Sequence, residues 1–258
     1  MRKGVRIILT AAVVCLLGLV CLVVNGVNGK RMRELTCAGI KVEFTDDFNF
    51  ITAKDVEGYL NKDYGAYIGQ RLDSVDLMKV EKILDSKSAI LKAEAYTTPD
   101  GYLNIKIRQR EPVVRFQKDG NGFYADERGF LFPLQRNYTS MVPIIDGAVP
   151  LNVERGYKGE PKTDRERKWL AEVISLVNYM QSSGVWADNI SQITVRGNGD
   201  LVLIPREGKE RFVFGQPDDF EAKFDRIGLY YTTILPAKGN GYYSTVSIKN
   251  NGQIVCRK

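Results

Sequence analysis

The stretch Ile90-Leu91-Lys92-Ala93-Glu94-Ala95-Tyr96-Thr97-Thr98-Pro99-Asp100-Gly101-Tyr102-Leu103-Asn104-Ile105-Lys106-Ile107-Arg108 decides how the first half of the chain folds. It reads as two strands, Ile90–Thr97 and Tyr102–Arg108, joined by Thr98-Pro99-Asp100-Gly101. Proline presets one turn dihedral and glycine accepts a positive one, so the strands form a hairpin. In the second strand Leu103, Ile105 and Ile107 alternate with Asn104, Lys106 and Arg108, which gives one apolar face and one wet face. A sheet with one apolar face needs a cover.

The cover lies upstream. Ile40, Val42 and Phe44 alternate with Lys41, Glu43 and Thr45 as a half-buried strand would. Thr52-Ala53-Lys54-Asp55 has the form of a capping box, with Asp in place of Glu, and opens a short helix carrying Val56, Tyr59 and Leu60 on one side. A second helix is expected from about Asp73, with Leu77, Val80, Ile83 and Leu84 at helical spacing. The order is therefore β-α-α-β-β, two helices laid over a small sheet.

Further upstream, Ile7 to Val24 is an 18-residue apolar run whose one polar member is Thr10. As a helix it would span about 27 Å, close to the roughly 30 Å hydrocarbon thickness of a bilayer. Arg2, Lys3 and Arg6 precede it, and Lys30, Arg31 and Arg33 follow. The run is longer than the apolar part of a cleaved signal, and Gly18-Leu19-Val20 before Cys21 is not a lipoprotein box. The expectation is a retained single-pass anchor with a short tail inside and the body exported.

Charge supports the anchor and argues against nucleic acid. The net charge of +6 comes entirely from the six basic residues flanking the apolar run; the remaining 31 Lys and Arg balance the 31 Asp and Glu. A neutral body offers no field for tracking phosphates. The 258 residues contain no histidine, which removes Ser-His-Asp and Cys-His sites and nearly all catalytic zinc sites. The four cysteines, Cys15, Cys21, Cys37 and Cys256, have no metal-ligand spacing and form no disulfide framework; a Cys37–Cys256 bridge is the one conceivable pairing.

Beyond Glu111-Pro112 the chain turns to short strands and glycine turns. Val113–Gln117 and Phe123–Ala125 flank Asp119-Gly120-Asn121-Gly122 as a second hairpin, and Phe130–Phe132 and Val142–Ile145 read as further strands. A capping box at Thr163-Asp164-Arg165-Glu166 opens a helix with Trp169, Leu170, Val173, Ile174, Val177 and Met180 as its buried stripe. Strands follow near Ile190–Arg196, Leu201–Ile204 and Arg211–Phe214. A last helix is expected to start at Asp218-Asp219, used as its cap, and to run past Phe220, Phe224, Ile227 and Tyr231. Tyr242–Lys249 and Gln253–Arg257 close the chain as strands around Asn250-Asn251-Gly252.

In this order of parts the chain resembles the FtsQ/DivIB family of bacterial division proteins. The first module is similar to a POTRA domain. Arg110-Glu111-Pro112-Val113-Val114-Arg115-Phe116 resembles the family's charged join to the following β domain. Tyr124-Ala125-Asp126-Glu127-Arg128-Gly129-Phe130-Leu131-Phe132-Pro133, Val142-Pro143-Ile144-Ile145-Asp146-Gly147, Phe214-Gly215 with Lys223, and Val246-Ser247-Ile248-Lys249-Asn250-Asn251-Gly252-Gln253 are similar to later family blocks. One departure stands out: Ser247-Ile248-Lys249 replaces the family's Asp-Leu-Arg, and lysine cannot form a bidentate fork.

The fold class expected is α+β: one transmembrane helix, a POTRA-like module, then a mixed, mostly antiparallel β domain with two helices. The boundaries are a tail at 1–6, the membrane helix at 7–24, a linker at 25–38, the POTRA-like domain at 39–110 and the β domain at 111–258. The resemblance implies a non-enzymatic scaffold at the division septum, in the inner membrane. Its exported domains would recruit the small coiled-coil proteins FtsB and FtsL, and through them FtsW and FtsI. It implies no cofactor, no metal and no catalytic residue.

The family's FtsB contact adds a strand to the last strand of the β domain. Here Gln253-Ile254-Val255-Cys256-Arg257 is a short alternating strand, and an uncovered edge offers unpaired N–H and C=O groups to an incoming strand. The expected partner-binding residues are Lys249, Gln253, Ile254 and Val255, with Tyr243 as a neighbouring aromatic contact. Ile40–Phe44 and Tyr102–Ile107 are candidates for a similar edge in the first module.

Two other classes compete. Ser140-Met141-Val142-Pro143 matches the Ser-Met-x-Pro string of Ser-Lys signal peptidases, with Lys168 as the candidate base, although a working lysine base must be desolvated and Lys168 sits on the polar side of a helix start. The serine also lies far from the membrane run, and the second peptidase block is absent. The other class is an exported binding module for an unrelated ligand.

Overall fold

A computed structural model describes residues 13–22, 35–135 and 137–258. Of the expected membrane segment, residues 7–12, 23 and 24 lie outside the described residues. Residues 13–22 form an exposed helix, α1. Among the described residues no helix is long and apolar enough to cross a membrane. The chain divides into two compact units, one ending at Gln109 and the other running from Arg110 to Lys258.

In the first unit β1 (Gly39–Phe44), α2 (Ala53–Asp63), α3 (Leu77–Asp85), β2 (Ile90–Thr97) and β3 (Tyr102–Gln109) follow the expected β-α-α-β-β order. The hairpin forms as its turn chemistry predicts: Thr97 stands opposite Leu103, and Gly101 takes a φ of +90°. Leu103, Ile105 and Ile107 are buried to within 1% of full burial, as are Val56 and Leu60 of α2 and Val80 and Leu84 of α3. The sheet order is β1-β3-β2, with β1 parallel to β3.

The capping box of α2 is present: the Thr52 hydroxyl accepts from the Asp55 N–H, and the Asp55 carboxylate accepts from the Thr52 N–H at 2.9 Å. The second helix starts later than expected. Asp73 sits in a 3₁₀ turn, Leu72–Ser74, and the cap is Asp76, whose carboxylate accepts from the Lys79 N–H at 3.0 Å. Gln109, 2% exposed, ties the loop before α2 to the end of β3. Its side chain accepts from the Ile51 N–H at 3.0 Å and donates to Asp46 at 2.8 Å and to the Phe48 carbonyl.

The second unit holds a nine-stranded sheet. Its strands are β4 (Pro112–Lys118), β5 (Asn121–Asp126), β6 (Leu131–Pro133), β7 (Ile144–Gly147), β8 (Ile190–Val195), β9 (Leu201–Pro205), β10 (Arg211–Gly215), β11 (Thr245–Ser247) and β12 (Val255–Arg257). They are ordered β12-β11-β10-β9-β8-β7-β4-β5-β6. β7 is parallel to both β4 and β8, β11 is parallel to β10, and the other neighbours are antiparallel. Parallel neighbours need a crossover: helices supply it between β7 and β8 and between β10 and β11, whereas from β4 to β7 the chain passes through β5 and β6.

The long helix α4 (Asp164–Ser182) connects β7 to β8 and buries Leu170, Val173, Ile174, Val177 and Met180 in the core, with Trp169 half-buried. Its capping box reaches further than expected, because Glu166 also accepts from the Asn152 N–H at 2.8 Å. Burial works against the charge of Glu166, but these backbone donors and the Thr163 hydroxyl hold its carboxyl below the usual range.

A one-turn helix, α5 (Trp186–Asn189), follows. α6 (Phe220–Leu229), a π-helical turn (Tyr230–Ile234) and α7 (Leu235–Lys238) carry the chain from β10 to β11. The expected cap of α6 differs: Asp219 has φ +46° and makes no side-chain cap, while Asp218 pairs with the buried Lys223. Lys223 also donates to the Gln216 carbonyl at 2.8 Å and lies over the Phe214 ring. A buried ammonium demands a partner more strongly than a helix end does.

Candidate functional site

The two edges of the large sheet are finished differently. At one edge, Leu131 of β6 donates to the Gly159 carbonyl at 2.8 Å and accepts from the Gly159 N–H at 3.0 Å. Pro133, at the end of that strand, has no N–H to offer. At the other edge is β12. Its inner side pairs with β11, in the register Thr245–Arg257, Val246–Cys256 and Ser247–Val255. Among the described residues no strand or bridge lies along its outer side.

The backbone direction in β12 follows from one bond. The Arg257 carbonyl accepts from the Ser244 N–H at 2.9 Å, so Arg257, and by alternation Val255, turn their polar groups toward β11. The N–H and C=O of Cys256 therefore point outward. Side chains alternate the other way: Val255 (40% exposed) and Arg257 face solvent, while Cys256 is half-buried against the core. Burial pushes the Cys256 thiol up, which keeps it protonated. Cys37 and Cys256 are both free thiols, one in each unit.

The terminal strands are shorter than expected, and this redistributes the candidate residues. Of the five, Val255 alone lies in a strand. Gln253 and Ile254 precede β12; Gln253 is exposed, with its N–H to the Asn250 carbonyl at 3.4 Å, and Ile254 is half-buried against the core. Tyr243 precedes β11 and packs on the core, edge-on to Tyr242 at 4.8 Å between centroids. The reason is the parallel entry of β11 beside β10: Val246 and Ile248 are drawn fully into the core, and the Asn250-Asn251-Gly252 turn takes up the flanking residues.

Lys249 is tied inward. Its ammonium lies 3.1 Å from Asp200, which also accepts from the Asn198 amide at 3.0 Å. Gly215 makes room for it: a Cβ there, at φ +82°, would stand 2.8 Å from the Lys249 Cβ. Burial opposes the charge of Asp200, but the bonds from Lys249 and Asn198 win and lower its carboxyl. Lys249 thus braces the sheet beneath the edge rather than presenting a free charge.

Three residues beside the edge escape the strand pattern. Tyr242, 41% exposed, carries the Lys258 ammonium 4.4 Å above its ring and that of Lys238 at 5.9 Å. A hydrogen bond from Lys258 and its charge lower the Tyr242 phenol. The signal available in the sequence is the pair of basic residues Arg257-Lys258, which the antiparallel pairing of β12 with β11, Thr245 opposite Arg257, brings back toward Tyr242.

In the first unit the Tyr102–Ile107 candidate is corrected. β3 is the central strand of its sheet and has neighbours on both sides, so the edges there are β1 and β2. The peptidase constellation also fails to assemble its chemistry. The Lys168 side chain is 81% exposed and reaches Glu172 at 3.9 Å, and the Ser140 N–H donates to the Tyr124 hydroxyl. A solvated lysine lacks the desolvation that makes it a base.

A β-α-α-β-β module followed by a large mixed sheet defines a POTRA-containing protein, and residues 35–108 match the model of the POTRA-like domain. Residues 111–257 match the model described as FtsQ/DivIB, C-terminal related, and the chain belongs to the FtsQ/DivIB family. It is a cell-division protein of a family without enzymatic activity. No curated protein matches it.

Proposed function

We propose that this protein is a divisome scaffold, anchored through residues 7–24 with its two folded units on the outer side of the inner membrane at the septum. Its β12 edge takes an added strand from a small coiled-coil partner of the FtsB or FtsL kind, which links it to FtsW and FtsI. The observation that carries this reading is the contrast between the two sheet edges: β6 is strapped by Gly159, and among the described residues no strand or bridge lies along the outer side of β12. Backbone pairing would supply affinity there, and Val255 and Arg257 would select the partner through their exposed side chains.

Photo-crosslinking from Val255 in living cells, with the adduct identified by mass spectrometry, tests the proposal. A small single-pass coiled-coil protein in the adduct is the expected result. An adduct with a soluble, unrelated ligand would favour the exported binding module instead. No adduct, while a probe at Met141 still reacts with its surroundings, would sink the edge. Washed membranes report on the anchor: the full-length chain should stay with them rather than be released shortened.

A further inference from the structure

At the end of the sheet where β10 begins there is a pocket of about 610 Å³ that the edge does not use. It is formed by the turn at 207–210, by Tyr231 and Leu235, and by Asn240 and Gly241. Glu210 lines it and is 3% exposed. Its carboxylate accepts from the Lys209 N–H at 3.0 Å and bonds the Tyr231 hydroxyl. Among the described residues no Lys or Arg forms an ion pair with it.

The surroundings are shaped around this carboxylate. Gly208 has φ +104°, and a Cβ there would stand 2.7 Å from both carboxylate oxygens. Tyr231 sits on the π-helical turn between α6 and α7, a distortion that recurs at functional sites. Burial, and then the charge of Glu210, pushes the Tyr231 phenol well above its ordinary value, so its hydroxyl remains a donor. A carboxylate has about four acceptor positions, so two donors leave capacity for more. A desolvated anion without a cation is also an unbalanced charge.

The position is equally suggestive. Arg211, Thr245 and Arg257 stand opposite one another across β10, β11 and β12, and Glu210 lies one residue beyond that row. A strand added outside β12 would lie three strand spacings from β10, about 14 Å. About four or five extended residues cover that distance.

We propose that this pocket receives a lysine or arginine side chain from the partner chain whose strand lies along β12. Glu210 binds the cation and the exposed Glu207 guides it in. The identity of the occupant rests on the edge reading above; the chemistry of the pocket does not.

The first test therefore uses a small probe. The full chain carrying 3-fluorotyrosine, with the Tyr231 resonance assigned through Tyr231→Phe, is titrated with acetyl-arginine methylamide and with its neutral citrulline analogue. A saturable shift with the arginine compound alone is expected, weakened about tenfold or more by Glu210→Gln. Equal responses to the two probes, or no response to either, would overturn the proposal. The comparison is made on the unaltered chain, so it stands even if Glu210→Gln does not fold.

The second test uses the partner captured from Val255. Replacing a Lys or Arg within about six residues of its added strand by Gln should weaken binding about tenfold. Arginine discrimination without any Val255 adduct would keep the pocket and sink the edge. An adduct without discrimination would keep the edge and sink the pocket.

Discussion

The two edges of the nine-stranded sheet show how one fold can close itself on one side and stay open on the other. The β6 edge is fastened twice, by the Gly159 strap and by Asp126 at the end of β5. Asp126 accepts from the Arg128 and Phe130 N–H groups at 3.0 and 2.9 Å and from Arg110 at 2.8 Å, while the Arg110 guanidinium lies 3.6 Å over the Phe130 ring. The β12 edge is held by its pairing with β11, by the lateral support of Lys249 and by the packing of Ile254 and Cys256. A terminal strand of three residues, paired on one side, is a poor structural element by itself and a good acceptor for another strand.

The largest effect should come from loosening the closed edge. Asp126→Ala removes a carboxylate that lies 2.8 Å from the buried Arg110 guanidinium, the side chains of Asp126 and Arg110 being 8% and 12% exposed. Removing one partner of such a pair costs about 3–5 kcal/mol. A urea midpoint shift of that size at constant slope is the expected reading. A shift under about 1 kcal/mol would mean that Arg110 finds water, as a surface pair would.

Next comes the open edge. Cys256→Pro removes the one N–H that points away from β11, and edge positions tolerate proline. Relative to Cys256→Ala, which loses the same packing but keeps the N–H, partner binding should fall about 100-fold, or about 2.7 kcal/mol. Unchanged binding would show that the partner uses side chains alone. By contrast, Ile254→Lys should cost stability of about 1–2 kcal/mol, because that residue packs on the core. It is therefore a poor reporter of the edge.

A smaller effect separates the strap from the turn beneath it. Gly159 has φ +137°, and a Cβ there would stand 3.3 Å from the Tyr157 hydroxyl oxygen. Gly159→Ala should cost about 1 kcal/mol and raise the tendency of β6 to pair between chains, read as a concentration-dependent sedimentation coefficient. No change in either would show that the strap adjusts without strain.

How much of this was legible in the sequence follows the range of the forces. The hairpin at Thr98–Gly101 and the capping boxes at Thr52 and Thr163 are local, and they appear where turn and cap chemistry put them. Asp218 and Lys223 show the limit: both sit near a helix start, and the burial of Lys223, which no local pattern displays, decides that Asp218 pairs with it. The same holds for β11. Its alternating residues predict a strand from Tyr242 to Lys249, but parallel entry beside β10 leaves three residues paired. The strap at Gly159 and the bond between Lys249 and Asp200 link residues 28 and 49 positions apart, beyond any periodicity.

The smallest effect concerns acid. Lys249 is 40% exposed and Asp200 11%, so solvent screens the pair and Lys249→Met should cost no more than about 1 kcal/mol. Asp200 is held below its ordinary 3.8, and its contribution to stability is therefore present above that value and lost as pH falls through the lowered one. Lys249→Met removes the strongest of the groups that lower it, so the loss should begin at a higher pH, with the carboxyl resonance of Asp200 moving in step. Glu166 is lowered by backbone donors at a distant helix start and should titrate unchanged in the same variant. If both carboxyls moved together, the brace under the open edge would be coupled to the α4 start. The two edges would then no longer be independent, and a strand added at β12 would be felt across the whole sheet.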